Sequence, residues 1–191
     1  MNVPLTSPSL TSPPTGSRAA HVTAELGRLV VALVAAVLLE TALAANVRVM
    51  GANPDFALIV VACVGLLRGA EVGAGFGFLA GTLVSFVLLE PVGVNSFIFV
   101  IVGYLAGRYA ETADLQSGFA PVVTVFAASL LAQSMFAVTQ FLLARQVPFV
   151  FVTTRVIVPA VILDTLLAAP MYVVVRFWMR GEATRRAYQT P

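Results

Sequence analysis

The chain has 191 residues, 59% of them hydrophobic and 10% charged, with a mean hydropathy of +0.96, whereas soluble domains carry about 25% charged residues. An apolar excess of this size leaves too little polar surface to cover a globule against water, so most of the chain must face lipid. All eleven basic residues are arginine, and against nine acids they give a net charge of +2, too small to point to a nucleic-acid partner.

In chain order, residues 1–24 are rich in Ser, Thr and Pro and hold no long apolar run. They read as a disordered tail, because they cannot bury enough surface to offset the entropy of ordering. Pro4, Pro8, Pro13 and Pro14 stand where a cleavable leader would need its apolar centre. A transmembrane domain follows over residues 25–180, and residues 181–191 form a C-terminal tail on the cytoplasmic side. Leu26–Val47 is the first span, with about twenty mostly apolar residues, enough at 1.5 Å each to cross about 30 Å of hydrocarbon. Asn53-Pro54-Asp55 makes a turn and a helix start, with the proline preset for the first turn, and Phe56–Leu67 is the second span. Val72–Leu89, Val94–Ala106, Val122–Ala144 and Val156–Val175 complete six. Spans two and four are short, so flanking residues or local bilayer thinning must help them cross.

Arginine placement orients these spans, because basic residues gather on the cytoplasmic side. With the N-terminus inside, Arg18, Arg28, Arg68, Arg108, Arg176, Arg180, Arg185 and Arg186 lie inside, and Arg48, Arg145 and Arg155 outside. The expected class is all-α, a polytopic six-helix transmembrane bundle with both termini cytoplasmic. The connection Gln146–Thr154 is too apolar for free solution and is expected in the membrane interface, or as an outward extension of the sixth helix.

Gly69, Gly73, Gly77 and Gly81 recur every four residues, and Gly103 and Gly107 repeat the spacing on the fourth helix. In lipid, close backbone approach supplies helix affinity, so small faces mark contacts. Two readings stand: a packing face within this bundle, or a docking face for another membrane protein. Glu40 and Asp164 are the intramembrane carboxyls, about 9 and 13 Å below the outer helix ends. They read as structural hydrogen-bonding groups, as contacts for a partner's transmembrane segment, or as a proton or ligand site. If their helices are neighbours, the two can share a proton.

The sole histidine, His21, lies in the tail, so no membrane-embedded Ser-His pair or two-histidine metal site can form. Cys63 sits in an apolar run and reads as a small hydrophobe. No catalytic, metal or cofactor-binding residues are identified, and the chain reads as a binding protein rather than an enzyme.

Pro54 within Asn53-Pro54-Asp55, then Gly77-Phe78-Leu79-Ala80-Gly81, Val92-Gly93 and Gly103-Tyr104, follow in an order and spacing that resemble the rod shape-determining protein MreD family. The resemblance is strong from about Asn53 to Arg108. The family usually places an aspartate four residues after its second glycine, where this chain has Ser85. The resemblance implies a bundle similar to the substrate-binding subunits of energy-coupling-factor transporters, located in the bacterial cytoplasmic membrane and without enzymatic activity. It also implies partners: the transmembrane helix of MreC, the actin-like MreB filament, and the assembly of RodA with a class B penicillin-binding protein that elongates peptidoglycan. Membrane lipid is a further partner. A groove beside the third helix is expected to receive MreC. The alternative is a substrate-binding subunit of an energy-coupling-factor vitamin or metal transporter, set back by few convergent polar groups on the outer loops.

Overall fold

A computed structural model describes residues 15–44, 53–89, 93–112, 119–142 and 157–180. Among these residues the chain forms six α-helices: α1 Thr15–Ala44, α2 Phe56–Arg68, α3 Ala70–Leu88, α4 Val94–Thr112, α5 Ala120–Leu142 and α6 Val158–Arg180. α1 begins well before Leu26, so part of the stretch read as a disordered tail is helical. Residues 1–14, 181–191 and the connection Gln146–Thr154 lie outside the described residues.

The arrangement follows from α2. Its sequence has no polar face, and every residue from Phe56 to Leu66 is buried. A helix apolar on all sides belongs at the centre of a bundle, and α2 contacts each of the other five helices. Around it the others meet in the order α1, α3, α4, α5, α6, with a slight contact between α6 and α1 closing the ring. At 13 residues α2 is about 20 Å long. Bilayer thinning is not needed to accommodate it, because protein rather than lipid surrounds it.

The outer helices bury small and polar residues and expose large apolar ones. α3 turns Gly73, Gly77, Ala80 and Gly81 inward, and leaves Phe78, Leu79, Phe86 and Val87 exposed. α6 buries Ala160, Asp164, Ala168 and Tyr172 and exposes Ile162, Leu166, Val174 and Phe177. Such an exterior suits hydrocarbon and would aggregate in water. α3, α5 and α6 are long and apolar enough to cross a membrane over Ala70–Leu88, Ala120–Thr139 and Val158–Met179. α4 continues to Thr112, beyond the expected Ala106, where an Arg108–Glu111 ion pair three residues apart joins its last turn.

Candidate functional site

A short central helix creates a problem at its N-terminus. The first amides of a helix lack intrahelical acceptors, and hydrocarbon offers no water to satisfy them. Three carboxylates from three helices solve it. Asp55 caps α2 directly, its Oδ1 accepting from the Leu58 amide at 2.8 Å. Glu40 of α1 accepts from the Ala57 amide through Oε2 at 3.2 Å. Asp164 of α6 accepts from the Asp55 amide through Oδ1 at 2.9 Å, and its Oδ2 accepts from the Ser129 hydroxyl of α5. Negative charge there also complements the positive end of the helix dipole. Pro54 therefore stands just outside the cap rather than in the first turn.

Glu40 and Asp164 thus converge on α2, although α1 and α6 touch each other only slightly. Glu40 accepts from an amide in the first turn of α2, and Asp164 from the amide of the capping Asp55 and from the Ser129 hydroxyl. Among the described residues no group of three His, Cys, Asp or Glu side chains is placed to hold a metal ion. Ser129 is a participant that the sequence reading missed. A hydroxyl within an otherwise apolar helical stretch was its signal, but its partner lies 35 residues away.

The glycine face occupies the joint between α3 and α4. A Cβ on Gly73 would lie 2.4 Å from the Gly103 carbonyl oxygen, one on Gly77 2.2 Å from that of Phe99, and one on Gly81 2.5 Å from the Ser96 Cα. From α4, a Cβ on Gly103 would approach the Gly73 oxygen to 2.1 Å, and one on Gly107 the Ala70 amide nitrogen to 2.3 Å. As α3 advances by a turn α4 recedes by one, which is an antiparallel register set by backbone contact. Thr82 and Ser96 add a hydroxyl pair at 2.9 Å across the joint. Gly69 joins this face only through its backbone, its carbonyl carbon lying 2.4 Å from a Cβ on Gly107, and a Cβ of its own would meet nothing within 4 Å. It is the corner between α2 and α3, at φ +90°, a conformation that favours glycine. The groove expected for a partner beside the third helix is corrected accordingly, since α4 fills it.

The remaining motif positions divide in two. Gly93 takes φ +110° just before α4, and its carbonyl accepts from the Phe97 amide, so it is a backbone requirement. Ser85 is fully buried, and its Oγ has no hydrogen-bond partner among the described residues. Phe78 and Tyr104 face outward, 54% and 47% exposed, and packing within the bundle does not account for them.

An all-helical bundle with an apolar exterior and its polar groups turned inward defines a membrane protein. The sequence matches the rod shape-determining protein MreD family over residues 24–181, and the chain belongs to that family. No curated protein and no solved structure matches it, and the family match gives no support to a transporter subunit. Membership supports a role in determining rod shape, in a family of shape-determining components rather than enzymes.

Proposed function

We propose that the chain is a non-enzymatic component of the cell-elongation complex, crossing the bacterial cytoplasmic membrane six times with both termini inside. It docks the single transmembrane helix of MreC, and so couples the MreB filament to the peptidoglycan-synthesising assembly of RodA and a class B penicillin-binding protein. The supporting observation is the outward placement of Phe78 and Tyr104. Among the motif residues, Gly77, Gly81 and Gly103 are accounted for by α3–α4 contact, whereas these two large aromatics leave about half of their surface exposed. Aromatic side chains bury large areas and dominate interfaces. The docking surface therefore moves from the glycine face to the exposed side of α3 and α4.

The test is co-purification from membranes in mild detergent. Replacing Phe78 and Tyr104 together with alanine is expected to reduce recovery of MreC at least tenfold while the variant remains membrane-inserted and monodisperse. Recovery of MreC equal to that of the wild type would refute this surface.

A further inference from the structure

α6 stays helical from Val158 to Arg180 with a proline inside it, Pro170. Proline has no amide hydrogen, so the carbonyl four residues earlier, that of Leu166, has no intrahelical donor at its usual place. In hydrocarbon no water replaces that donor, and an unsatisfied backbone group is costly. The apolar span of this helix is Val158–Met179, 22 residues or about 33 Å at 1.5 Å each. Residues 166–170 lie at its middle, about 12 Å or more from either end.

The rest of the bundle does not supply the missing donor. Leu166 is 72% exposed and Pro170 is exposed with it, on a stripe with Ile162, Val173 and Phe177 that no other described helix covers. On the same helix the Thr165 hydroxyl is engaged by the Val161 carbonyl. Residues 167–175 hold no hydroxyl besides that of Tyr172, which is buried on the opposite side. A side chain approaching the Leu166 oxygen passes over residues 169 and 170, three and four positions further along. Ala169 is exposed there and ends at a methyl group, so Leu166 and Val173 stand apart over the oxygen with only small groups between them.

We infer that this face of α6 docks a transmembrane helix of another membrane protein, through a side-chain N–H or O–H donor of asparagine, glutamine, serine or threonine placed on the Leu166 carbonyl. The chemistry sets the occupant. Acyl chains carry no donor, the donors of lipid headgroups lie at the interface rather than at the middle of the span, and a water there finds no further polar partners. A helix brings both a donor and apolar surface for Ile162, Val173 and Phe177, and hydrogen bonds of this kind add to close packing between membrane helices. α6 is flanked by α5 and α1, so this surface is separate from the one proposed on α3 and α4, and it holds a second partner helix.

The site requires α6 to cross hydrocarbon, as the membrane reading has it, so carbonate extraction of the full chain from phosphatidylcholine vesicles comes first. Release from the vesicles would overturn the membrane reading itself. The probes are two synthetic helices of about twenty leucines and alanines, one with a single central asparagine, each carrying dansyl groups at both ends and held at trace density so that they do not pair. Trp178, the only tryptophan of the chain, is half exposed on α6 itself, and energy transfer from it reads binding at this helix. The wild type is expected to bind the asparagine helix about three times as tightly as the plain one, or more. Pro170→Ala returns an amide hydrogen to the Leu166 carbonyl and should bind both helices equally. Ala169→Leu, an exposed change that covers the oxygen, should do the same. No preference in the wild type, or a preference that persists in either variant, would overturn the site. A wild-type dimer in the same vesicles that Pro170→Ala makes monomeric, seen by single-molecule photobleaching, would assign the face to a second copy of the chain and also overturn it.

Discussion

Gly77→Ala puts one methyl group where α3 and α4 touch. Its Cβ would lie 2.2 Å from the carbonyl oxygen of Phe99, 2.6 Å from that carbonyl carbon and 3.1 Å from the amide nitrogen of Val100. All three atoms are backbone, so no side chain can swing aside, and the helices must part by about 1 Å to restore van der Waals contact. A gap of that size forfeits a quarter to a half of each dispersion contact along the joint, and overpacking in a close-packed interior costs about 1–3 kcal/mol. Lipid offers little hydrophobic compensation, because the joint is held by close packing. Gly75→Ala is the control. It lies on the same helix with nothing within 4 Å of its Cβ, and it gains up to about 1 kcal/mol from helix propensity. Reversible unfolding in mixed micelles, titrated with a denaturing detergent and followed by circular dichroism, should separate the two variants by about 2–4 kcal/mol. Equal stability, or a more stable Gly77→Ala, would refute the backbone-contact account of the joint.

The same unfolding assay tests the polar crown. Asp164→Ala leaves the Asp55 amide and the Ser129 hydroxyl without their acceptor and should cost about 2–6 kcal/mol, since each unsatisfied buried group costs about 1–3. Asp164→Asn keeps an acceptor for the amide and should cost about 1 kcal/mol or less; a loss as large as that of alanine would show that hydrogen bonding is not what the site supplies. Ser85→Ala removes a buried hydroxyl that has no hydrogen-bond partner among the described residues and should leave stability unchanged or raise it by up to about 1 kcal/mol, and a clear destabilisation in the same titration would mean that the hydroxyl is satisfied.

Much of this architecture is written locally. The apolar runs locate the helices because hydropathy reports where lipid begins. It does not report where helical hydrogen bonding begins, so α1 starts earlier, at Thr15, and α4 runs on through Arg108 and Glu111 to Thr112. Asn53-Pro54-Asp55 announces a helix start, since a capping aspartate ahead of an apolar run is a local signal. The four-residue glycine spacing announces a close contact but not its partner. The identity of that partner depends on the antiparallel pairing of α3 with α4, which the spacing within one helix does not state. Least legible is the crown. Glu40, Asp55, Ser129 and Asp164 come from four helices, and they meet only because α2 is too short to reach the surface and is ringed by the rest. The shortness is visible in the sequence, whereas the encirclement is a property of tertiary packing.

The central claim is that this bundle maintains rod shape by holding partners in the membrane rather than by chemistry of its own. The most direct measurement is cell width and length by microscopy after depletion of the protein in its host, with plasmid-borne variants supplied in return. Depletion should turn rods into wide, rounded cells. The wild type and Gly75→Ala should restore them, and the double alanine replacement of Phe78 and Tyr104 should insert normally yet fail to do so. Cells that keep their rod dimensions without the protein, or that recover fully with the double variant, would contradict the account.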